Sequence, residues 1–175
     1  SEKEINTNKK IKIEKKFQNK KFILSIGRLT SQKNFSFLIE MFAKYKNIMN
    51  VDYLIIIGEG EEKIKLKKII KKLNFENNIF LLGFKKNVFN YINQCETLIS
   101  TAEYEDPGFT LIEAAFLKKK IISSLVENGP IEMKKYGNLC CFFNFNNPRS
   151  FLNAVKESKK NNFNKIKKAH EYSKK

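Results

Sequence analysis

Short apolar segments alternate with segments that are apolar on one face only, from residue 22 onward. The apolar runs are predicted strands, at 22–27, 53–58, 78–83, 97–100, 120–124 and 139–143. Between them, apolar residues recur at the i, i+3, i+4, i+7 spacing of a helix with one buried face. The two clearest sets are Phe35, Leu38, Ile39 and Phe42, then Leu66, Ile69, Ile70 and Leu73. Further helices are predicted at about 86–94, 108–118 and 148–160.

This alternation predicts an α/β fold, because strands that are apolar on both faces must be covered on both faces. We expect a Rossmann-like, doubly wound parallel sheet of about six strands with helices on both faces. Ligands of such sheets bind beyond the carboxyl ends of the strands, near the point where the strand order reverses. Gly27, Gly58 and Gly83 each end a predicted strand, where the backbone can come close to another group. Ordinary turn chemistry would explain any one of them alone.

The two ends of the chain are polar and are predicted to lie outside this unit. We expect 1–20 to be a polar lead-in or interdomain linker, 21–162 to be the ligand-binding domain, and 163–175 to be a basic C-terminal helix or tail that is truncated. His170 has no evident partner in the sequence, so it is predicted to be a surface residue.

Composition limits the alternatives. With 175 residues and 42% hydrophobic content, the chain is long enough for one well-filled core. It contains no apolar run long enough to span a membrane, and its polar N-terminus does not resemble a signal peptide. Cys95, Cys140 and Cys141 fit neither a disulfide framework nor a zinc site, and are expected to be buried thiols in a reducing cytosol.

The formal net charge of +16 fits an anionic membrane surface or nucleic acid. Lys, Asn, Ile and Phe are abundant together, however, and all have A/T-rich codons, so codon bias on a solvated surface is the favoured explanation, ahead of membrane attraction. Arginine, which base recognition favours, occurs only at Arg28 and Arg149. We therefore expect no nucleic-acid partner.

The stretch EDPGFTLIE, residues 105–113, joins the predicted strand at 97–100 to the next helix. Gly108–Leu111 lie near the helix N-terminus, where free amides and the helix dipole favour a phosphate. A carboxylate would repel that phosphate, so Glu105 and Glu113 are better suited to hydroxyl groups on either side of it. This pattern suggests a sugar–diphosphate–ribose ligand. Taken alone, the stretch is equally well explained as a helix entry followed by an ordinary helical glutamate.

The loop GRLTSQK, residues 27–33, follows the first strand and supplies Arg28 and Lys33. Two cations at a strand end can neutralise a diphosphate and stabilise it as a leaving group. Such a pair is more often an ordinary surface pair when it occurs without other site residues.

Five motifs in order carry a resemblance to a known family: SIGRLTSQKNFSFLIEMF, YLIIIGEGEE, NIFLLGF, ISTAEYEDPGFTLIEAAF and IISS followed by ENGPIE. Together they resemble the C-terminal, nucleotide-sugar-binding half of a bacterial GT-B glycosyltransferase of family 4. The resemblance covers about residues 22–160, and its most specific element is the pair of glutamates, Glu105 and Glu113. One departure is that the chain has E-D-P-G where the family commonly has E-G-F-G, which leaves the preferred sugar open.

The resemblance implies a role for each matching residue. Arg28 and Lys33 would bind the diphosphate, Glu105 would lie near the transferred sugar, and Glu113 would bind the ribose hydroxyls. Arg28, Lys33 and Glu105 are then the expected catalytic residues. The other expected donor-binding residues are Gly27 and Gly58 at strand ends, Phe84 and Lys85 in the loop that lines the base, and Gly108, Phe109, Thr110 and Leu111 at the sugar and phosphates.

The resemblance also implies a metal-independent reaction that retains the anomeric configuration, with no cofactor. A glycosidase pair needs carboxyl groups about 5–9.5 Å apart, whereas eight helical residues rise about 12 Å. A metal-dependent transferase would be expected to carry a D-x-D motif, which this sequence lacks.

The implied function is transfer of a hexose or N-acetylhexosamine from a UDP-sugar to a glycan or lipid-linked acceptor. Capsule or lipopolysaccharide synthesis at the cytoplasmic face of the membrane would suit the basic surface. This half alone is expected to bind the donor without completing transfer, because a GT-B enzyme works in a cleft between two such domains. The alternatives are a sugar-nucleotide epimerase of the same fold and a non-catalytic nucleotide-sugar-binding module.

Overall fold

Six parallel strands form one sheet in the order β3-β2-β1-β4-β5-β6 in the computed structural model, which describes residues 13–160 and 162–174. The strands are β1 Phe22–Ile26, β2 Tyr53–Ile57, β3 Ile79–Leu81, β4 Thr97–Ser100, β5 Lys120–Ser124 and β6 Cys141–Phe143. The helices are α1 Phe35–Met49, α2 Lys63–Lys72, α3 Val88–Gln94, α4 Phe109–Phe116, α5 Gly129–Lys135, α6 Pro148–Ser158 and α7 Phe163–Tyr172. The predicted fold class is confirmed.

The strand order reverses between β1 and β4. The chain builds β1, β2 and β3 outward in one direction and then returns to place β4 on the other side of β1. The loops that follow β1 and β4 therefore lie side by side at the carboxyl edge, which is the ligand-binding position in this kind of sheet.

Two apolar cores cover the two faces of the sheet. One contains the buried faces of α1, α2 and α6, and the other contains those of α3, α4, α5 and α7. Within β1, Ile23 packs into the first core while Phe22 and Leu24 pack into the second. This follows from the strand period of two, and it explains why the strands are apolar throughout.

The N-terminal part of the chain contributes to the second core. Ile13 and Phe17, both within the predicted lead-in, are buried, and the Phe17 ring meets Tyr53 and Phe80 edge-on. The segment 13–20 thus packs against the sheet domain. Residues 1–12, the rest of the predicted lead-in, lie outside the described residues.

The predicted C-terminal helix forms as α7 and packs against α4, with Ala169 buried. The prediction that His170 is a plain surface residue is wrong. Its Nδ1 lies 2.8 Å from the Phe116 carbonyl oxygen, and the two rings are in contact. The reason is that α7 crosses the C-terminal end of α4, which no local pattern in the sequence shows.

The cysteines are buried free thiols. Burial raises the pKa of Cys95 to about 12 and that of Cys141 to about 11, and it also raises the pKa of Cys140. None of the three is therefore a thiolate at neutral pH. Within the described ranges, no helix is long and apolar enough to cross a membrane.

Candidate functional site

The loops after β1 and β4 are joined by hydrogen bonds across the point where the strand order reverses. The Thr101 hydroxyl donates to the carbonyls of Lys33 and Asn34 at 3.0 and 3.1 Å. The Glu103 amide donates to the Gln32 carbonyl at 2.8 Å, and the Gln32 side chain donates to the Tyr104 carbonyl at 3.0 Å. The two loops that carry the predicted site residues are thus one hydrogen-bonded unit.

Glu105 is held at the centre of this unit. Its side chain is only 6% exposed, and Lys33 Nζ lies 2.9 Å from Oε2. The Ser100 hydroxyl donates to the other oxygen, Oε1, at 3.0 Å. Because each carboxylate oxygen has its own partner, the orientation of the carboxylate is fixed.

Lys33 reaches this carboxylate by passing over Gly27. A Cβ on Gly27 would lie 3.2 Å from the Lys33 Cδ and Cε atoms, so a side chain there would crowd the lysine stem. Arg28, the next residue, is exposed, and its guanidinium makes no hydrogen bond or ion pair with the part of the chain that the structure describes. One predicted cation is therefore ion-paired with Glu105, and the other is open to an anion from solvent.

Gly108 precedes α4 with a φ of 80°, the left-handed region that favours glycine. Its carbonyl accepts the amides of Leu111 and Ile112, while the amides of Phe109 and Thr110 lie before these first helical bonds. A Cβ on Gly108 would meet Leu111 at 3.4 Å and Glu105 Cβ at 4.0 Å. The helix N-terminus is therefore close to the Glu105 side of the site.

The two predicted glutamates are in different environments. Glu113 is half-buried in the second turn of α4, and burial raises the pKa of its carboxyl group. Glu105 is almost fully buried and is paired with Lys33. Of the two glutamates, Glu113 is the one without an ion-pair partner among the described residues, which favours a role in binding a ligand from outside the chain.

The glycines of the β2 loop are needed for contact with the β1 loop. A Cβ on Gly58 would lie 1.9 Å from the Gly27 carbonyl oxygen, and one on Gly60 would lie 2.4 Å from that of Leu29. The Leu29 amide also donates to the Glu59 carbonyl at 2.8 Å. The close approach predicted for Gly58 is thus an approach to neighbouring backbone, and it fixes the loop that carries Arg28.

Phe84 and Lys85 follow β3 and have opposite environments. Phe84 is 73% exposed, so its ring is accessible for stacking on a planar ligand. Lys85 Nζ lies 2.7 Å from Glu14 Oε1, and the other oxygen of Glu14 accepts a short hydrogen bond from the Tyr91 hydroxyl. Lys85 is therefore tied to the N-terminal segment.

A third loop, after β5, belongs to the same site; its motif ENGPIE is part of the family resemblance, but none of its residues was predicted as a site residue. A Cβ on Gly129 would lie 2.2 Å from the Pro107 carbonyl oxygen, and the Gly129 amide donates to the Glu105 carbonyl at 3.3 Å. The Asn128 amide group donates to the Tyr104 hydroxyl at 3.0 Å, which in turn donates to Asp106 at 3.3 Å. The Asn-Gly-Pro turn directly after a strand was the available signal.

Ser100 and Thr101 were also missed. Ser100 is the last residue of β4 and Thr101 follows it; both are buried, and their hydroxyls are hydrogen-bonded to the site loops. Two polar residues at the end of an apolar strand were the signal that could have identified them. Within residues 13–160 and 162–174, no three His, Cys, Asp or Glu side chains are grouped as metal ligands would be.

The sequence pattern of the family described as Glycosyl transferases group 1 matches residues 6–175, almost the whole chain. The chain belongs to this family.

Three relatives support the assignment. An uncharacterised glycosyltransferase of Methanocaldococcus jannaschii is 38% identical over 67% of this chain and 29% of its own length. An N-acetylgalactosaminyltransferase of Campylobacter jejuni, whose name specifies a diphospho-undecaprenol-linked acceptor, is 35% identical over 65% of this chain and 30% of its own length. A poly(ribitol-phosphate) alpha-N-acetylglucosaminyltransferase of Staphylococcus aureus is 32% identical over 75% of this chain and 27% of its own length.

Solved structures of glycosyltransferases have the same fold. Anabaena HepE in complex with UDP-glucose matches with a TM-score of 0.78 and 18% identity, over 99% of this chain and 48% of that one. A variant of S. aureus TarM in complex with UDP matches with a TM-score of 0.72 and 24% identity, over 94% of this chain and 32% of that one. This group 1 glycosyltransferase chain therefore spans about 30% of the length of its curated relatives.

Proposed function

We propose that this chain is the donor-binding part of a retaining, metal-independent glycosyltransferase that uses a UDP-linked hexose or N-acetylhexosamine. The observation that carries the proposal is the Glu105 carboxylate, fixed between Lys33 and Ser100 at the reversal of the strand order and close to the N-terminus of α4. A buried, oriented carboxylate next to helix amides suits a ligand with hydroxyls and phosphates on adjacent groups.

The protein has a group suited to binding the diphosphate, the ribose and the base of the donor. Arg28 is exposed and unpaired among the described residues, so it binds the diphosphate as a charge-assisted donor. The α4 amides add to this binding, and Lys33 can turn from Glu105 toward the diphosphate as charge develops on it. Glu113 accepts hydrogen bonds from the ribose, and the exposed Phe84 ring stacks on the base.

The choice of UDP and of a surface-glycan acceptor is supported by the relatives. The solved neighbours HepE and TarM are described in complexes with UDP-glucose or UDP. Two curated relatives are named for transfer to a lipid diphosphate or to poly(ribitol-phosphate). We therefore propose a role in bacterial surface polysaccharide assembly, with the protein in the cytoplasm at the inner face of the membrane.

Ligand binding tests this proposal directly. UDP should raise the thermal midpoint of the chain by mass action and give a saturable calorimetric titration. A UDP-sugar that is a true donor should bind more tightly than UDP, and uridine should bind far more weakly. If no nucleoside diphosphate shifts the midpoint of a folded sample, the donor-binding assignment is wrong.

A further inference from the structure

Helix α2, Lys63–Lys72, presents the most concentrated positive charge of any described helix, with six lysines among its ten residues. Two of these lysines are neutralised by nearby glutamates, because Lys63 pairs with Glu59 and Lys65 pairs with Glu62. The remaining four are exposed and make no ion pair with residues 13–160 or 162–174: Lys67, Lys68, Lys71 and Lys72. The helix therefore carries about four uncompensated charges on its outer surface.

An exposed isoleucine lies at the N-terminal end of the helix face that carries these charges. Ile64 is 70% exposed, although the helix already buries Leu66 and Ile70 on its opposite side. Lys67, Lys68 and Lys71 follow Ile64 at i+3, i+4 and i+7, so they lie on the same face of the helix. An exposed apolar side chain beside several lysines on one helix face is typical of an interfacial helix, in which lysines meet headgroups while the apolar group enters the acyl boundary.

The same surface continues into an apolar groove beside the free edge of β3. The groove is lined by Phe80 and Leu82 together with Lys67 and Lys71 of α2. Lys16 closes its other side, with Nζ 4.2 Å from the centroid of the Phe80 ring. Glu76 is the acidic residue that lines it among the described residues. Basic and apolar groups thus alternate across both α2 and the groove.

We propose that this surface, formed by the outer face of α2 and the groove at the β3 edge, docks on an anionic lipid bilayer. An anionic lipid surface binds both the positive charge and the exposed apolar side chain, since its headgroups attract lysines and its acyl region accommodates Ile64. A nucleic acid would interact favourably with the lysines but not with Ile64. The inference extends the membrane part of the proposed function, and its test does not involve donor binding, so either can fail alone.

Sedimentation with vesicles tests this proposal. The 175-residue chain should bind phosphatidylcholine vesicles that contain phosphatidylglycerol and should not bind pure phosphatidylcholine vesicles. The triple variant Lys67→Gln/Lys68→Gln/Lys71→Gln should bind about 100-fold more weakly, at about fivefold per lysine at low salt. Ile64→Ser should bind about fivefold more weakly, although it leaves the charge unchanged.

Matched controls separate a docking surface from general basicity. Lys156→Gln/Lys159→Gln/Lys160→Gln removes the same charge from exposed lysines elsewhere and should weaken binding by less than about fivefold. Ile48→Ser removes another exposed isoleucine and should have no effect. Each variant should still melt cooperatively and bind UDP in a saturable titration, which shows that each is folded.

Three outcomes would overturn the proposal. The first is absence of binding to the anionic vesicles. The second is an equal loss in the control triple variant, which would mean that binding follows net charge. The third is an Ile64→Ser variant that binds vesicles as the wild type does while duplex DNA competes fully, which would identify a polyanion site.

Discussion

Lys33 and Glu105 depend on each other because both lie where water cannot readily replace a lost partner. The Lys33 side chain is 18% exposed and that of Glu105 is 6% exposed. Lys33→Met would leave a buried carboxylate with only the Ser100 hydroxyl, and breaking a buried ion pair in this way costs about 3–5 kcal/mol. We expect the free energy of unfolding, measured by urea denaturation, to fall by about that amount.

Lys63→Met is the matched control, since it breaks the pair with Glu59, whose side chain is 51% exposed, and should cost less than about 1 kcal/mol. The double variant Lys33→Met/Glu105→Gln should regain much of the lost stability, because it removes the uncompensated charge. Equal small losses in Lys33→Met and Lys63→Met would show that Glu105 is better hydrated than its burial implies.

Arg28 should matter only where phosphates are present. A hydrogen bond to a charged group contributes about 1.5–3 kcal/mol, so Arg28→Ala should weaken UDP binding about ten- to hundredfold in a calorimetric titration. Arg28→Lys should recover part of the loss, since lysine cannot present a planar fork to two oxygens. Uridine affinity should stay nearly constant. If it falls as much as UDP affinity does, Arg28 supports the loop and does not bind the diphosphate.

Glu113 should oppose folding at neutral pH, since burial raises the pKa of its carboxyl group above the ordinary value of 4.5. Between the unfolded-state pKa and the higher folded-state pKa, the folded state holds more protons. The free energy of unfolding therefore decreases as pH rises through that interval. Glu113→Gln should raise the free energy of unfolding at pH 7 and flatten its pH dependence above 4.5, as measured by denaturation at a series of pH values.

The same substitution should weaken UDP binding about tenfold, because a neutral amide accepts weaker hydrogen bonds from the ribose than a carboxylate does. Glu61→Gln, on an exposed residue, should change neither quantity. A Glu113→Gln variant that is less stable at pH 7 would mean that the carboxylate has a favourable partner within the protein.

At the level of elements, the site depends on loops that touch through glycine. Gly129→Ala would place a Cβ 2.2 Å from the Pro107 carbonyl oxygen, so the loop before α4 must move. We expect a clear loss of UDP affinity, about tenfold or more, because displacement of the α4 N-terminus misplaces both its amides and Glu105. Gly137→Ala is the control. It introduces a side chain at a φ of 124°, but its Cβ meets only side-chain atoms at 3.8–4.0 Å.

The control should lose stability without losing UDP affinity, since α5 ends at Lys135 and Gly137 lies beyond it, away from the site loops. Equal losses of affinity in both variants would indicate general destabilisation.

The strands were predictable because their burial on both sides leaves little choice of residue. The predicted runs 22–27, 53–58 and 97–100 match β1, β2 and β4 to within one residue at each end. Helix α5 was not predicted, since its seven residues begin with Gly-Pro, and the two turns of such a short helix show no clear period. Its position depends on packing that local sequence does not record.

The pairing inside the site was less predictable than its residue types. Lys33 and Glu105 could be assigned to one ligand from their positions after β1 and β4, which the doubly wound order makes neighbours. Their direct ion pair and the role of Ser100 depend on side-chain burial across loops far apart in sequence. Gly58 illustrates the same limit, since the sequence showed that something comes close and the structure shows that it is the Gly27 carbonyl.

For the molecule as a whole, the net charge of +16 has opposite effects on stability and on donor binding: it lowers the first and favours the second. A 175-residue domain has a radius of gyration of about 16 Å. The Debye length is about 30 Å at 0.01 M salt and falls below 10 Å above 0.1 M. At low salt every lysine therefore repels most of the others, whereas at high salt only near neighbours interact. The same positive field attracts an anionic donor to the carboxyl edge.

Salt should consequently change stability and donor affinity in opposite directions. Raising NaCl from about 0.01 to 0.3 M should increase the thermal midpoint by several degrees, because screening removes more repulsion than attraction in a chain with 34 basic and 18 acidic residues. Over the same range UDP affinity should fall, and uridine affinity should not. Thermal melts and calorimetric titrations in the same buffers measure both quantities. A midpoint that falls with salt would mean that exposed ion pairs such as Lys63–Glu59, which salt screens, outweigh the repulsion among surface lysines, and that the excess charge costs the folded state little stability.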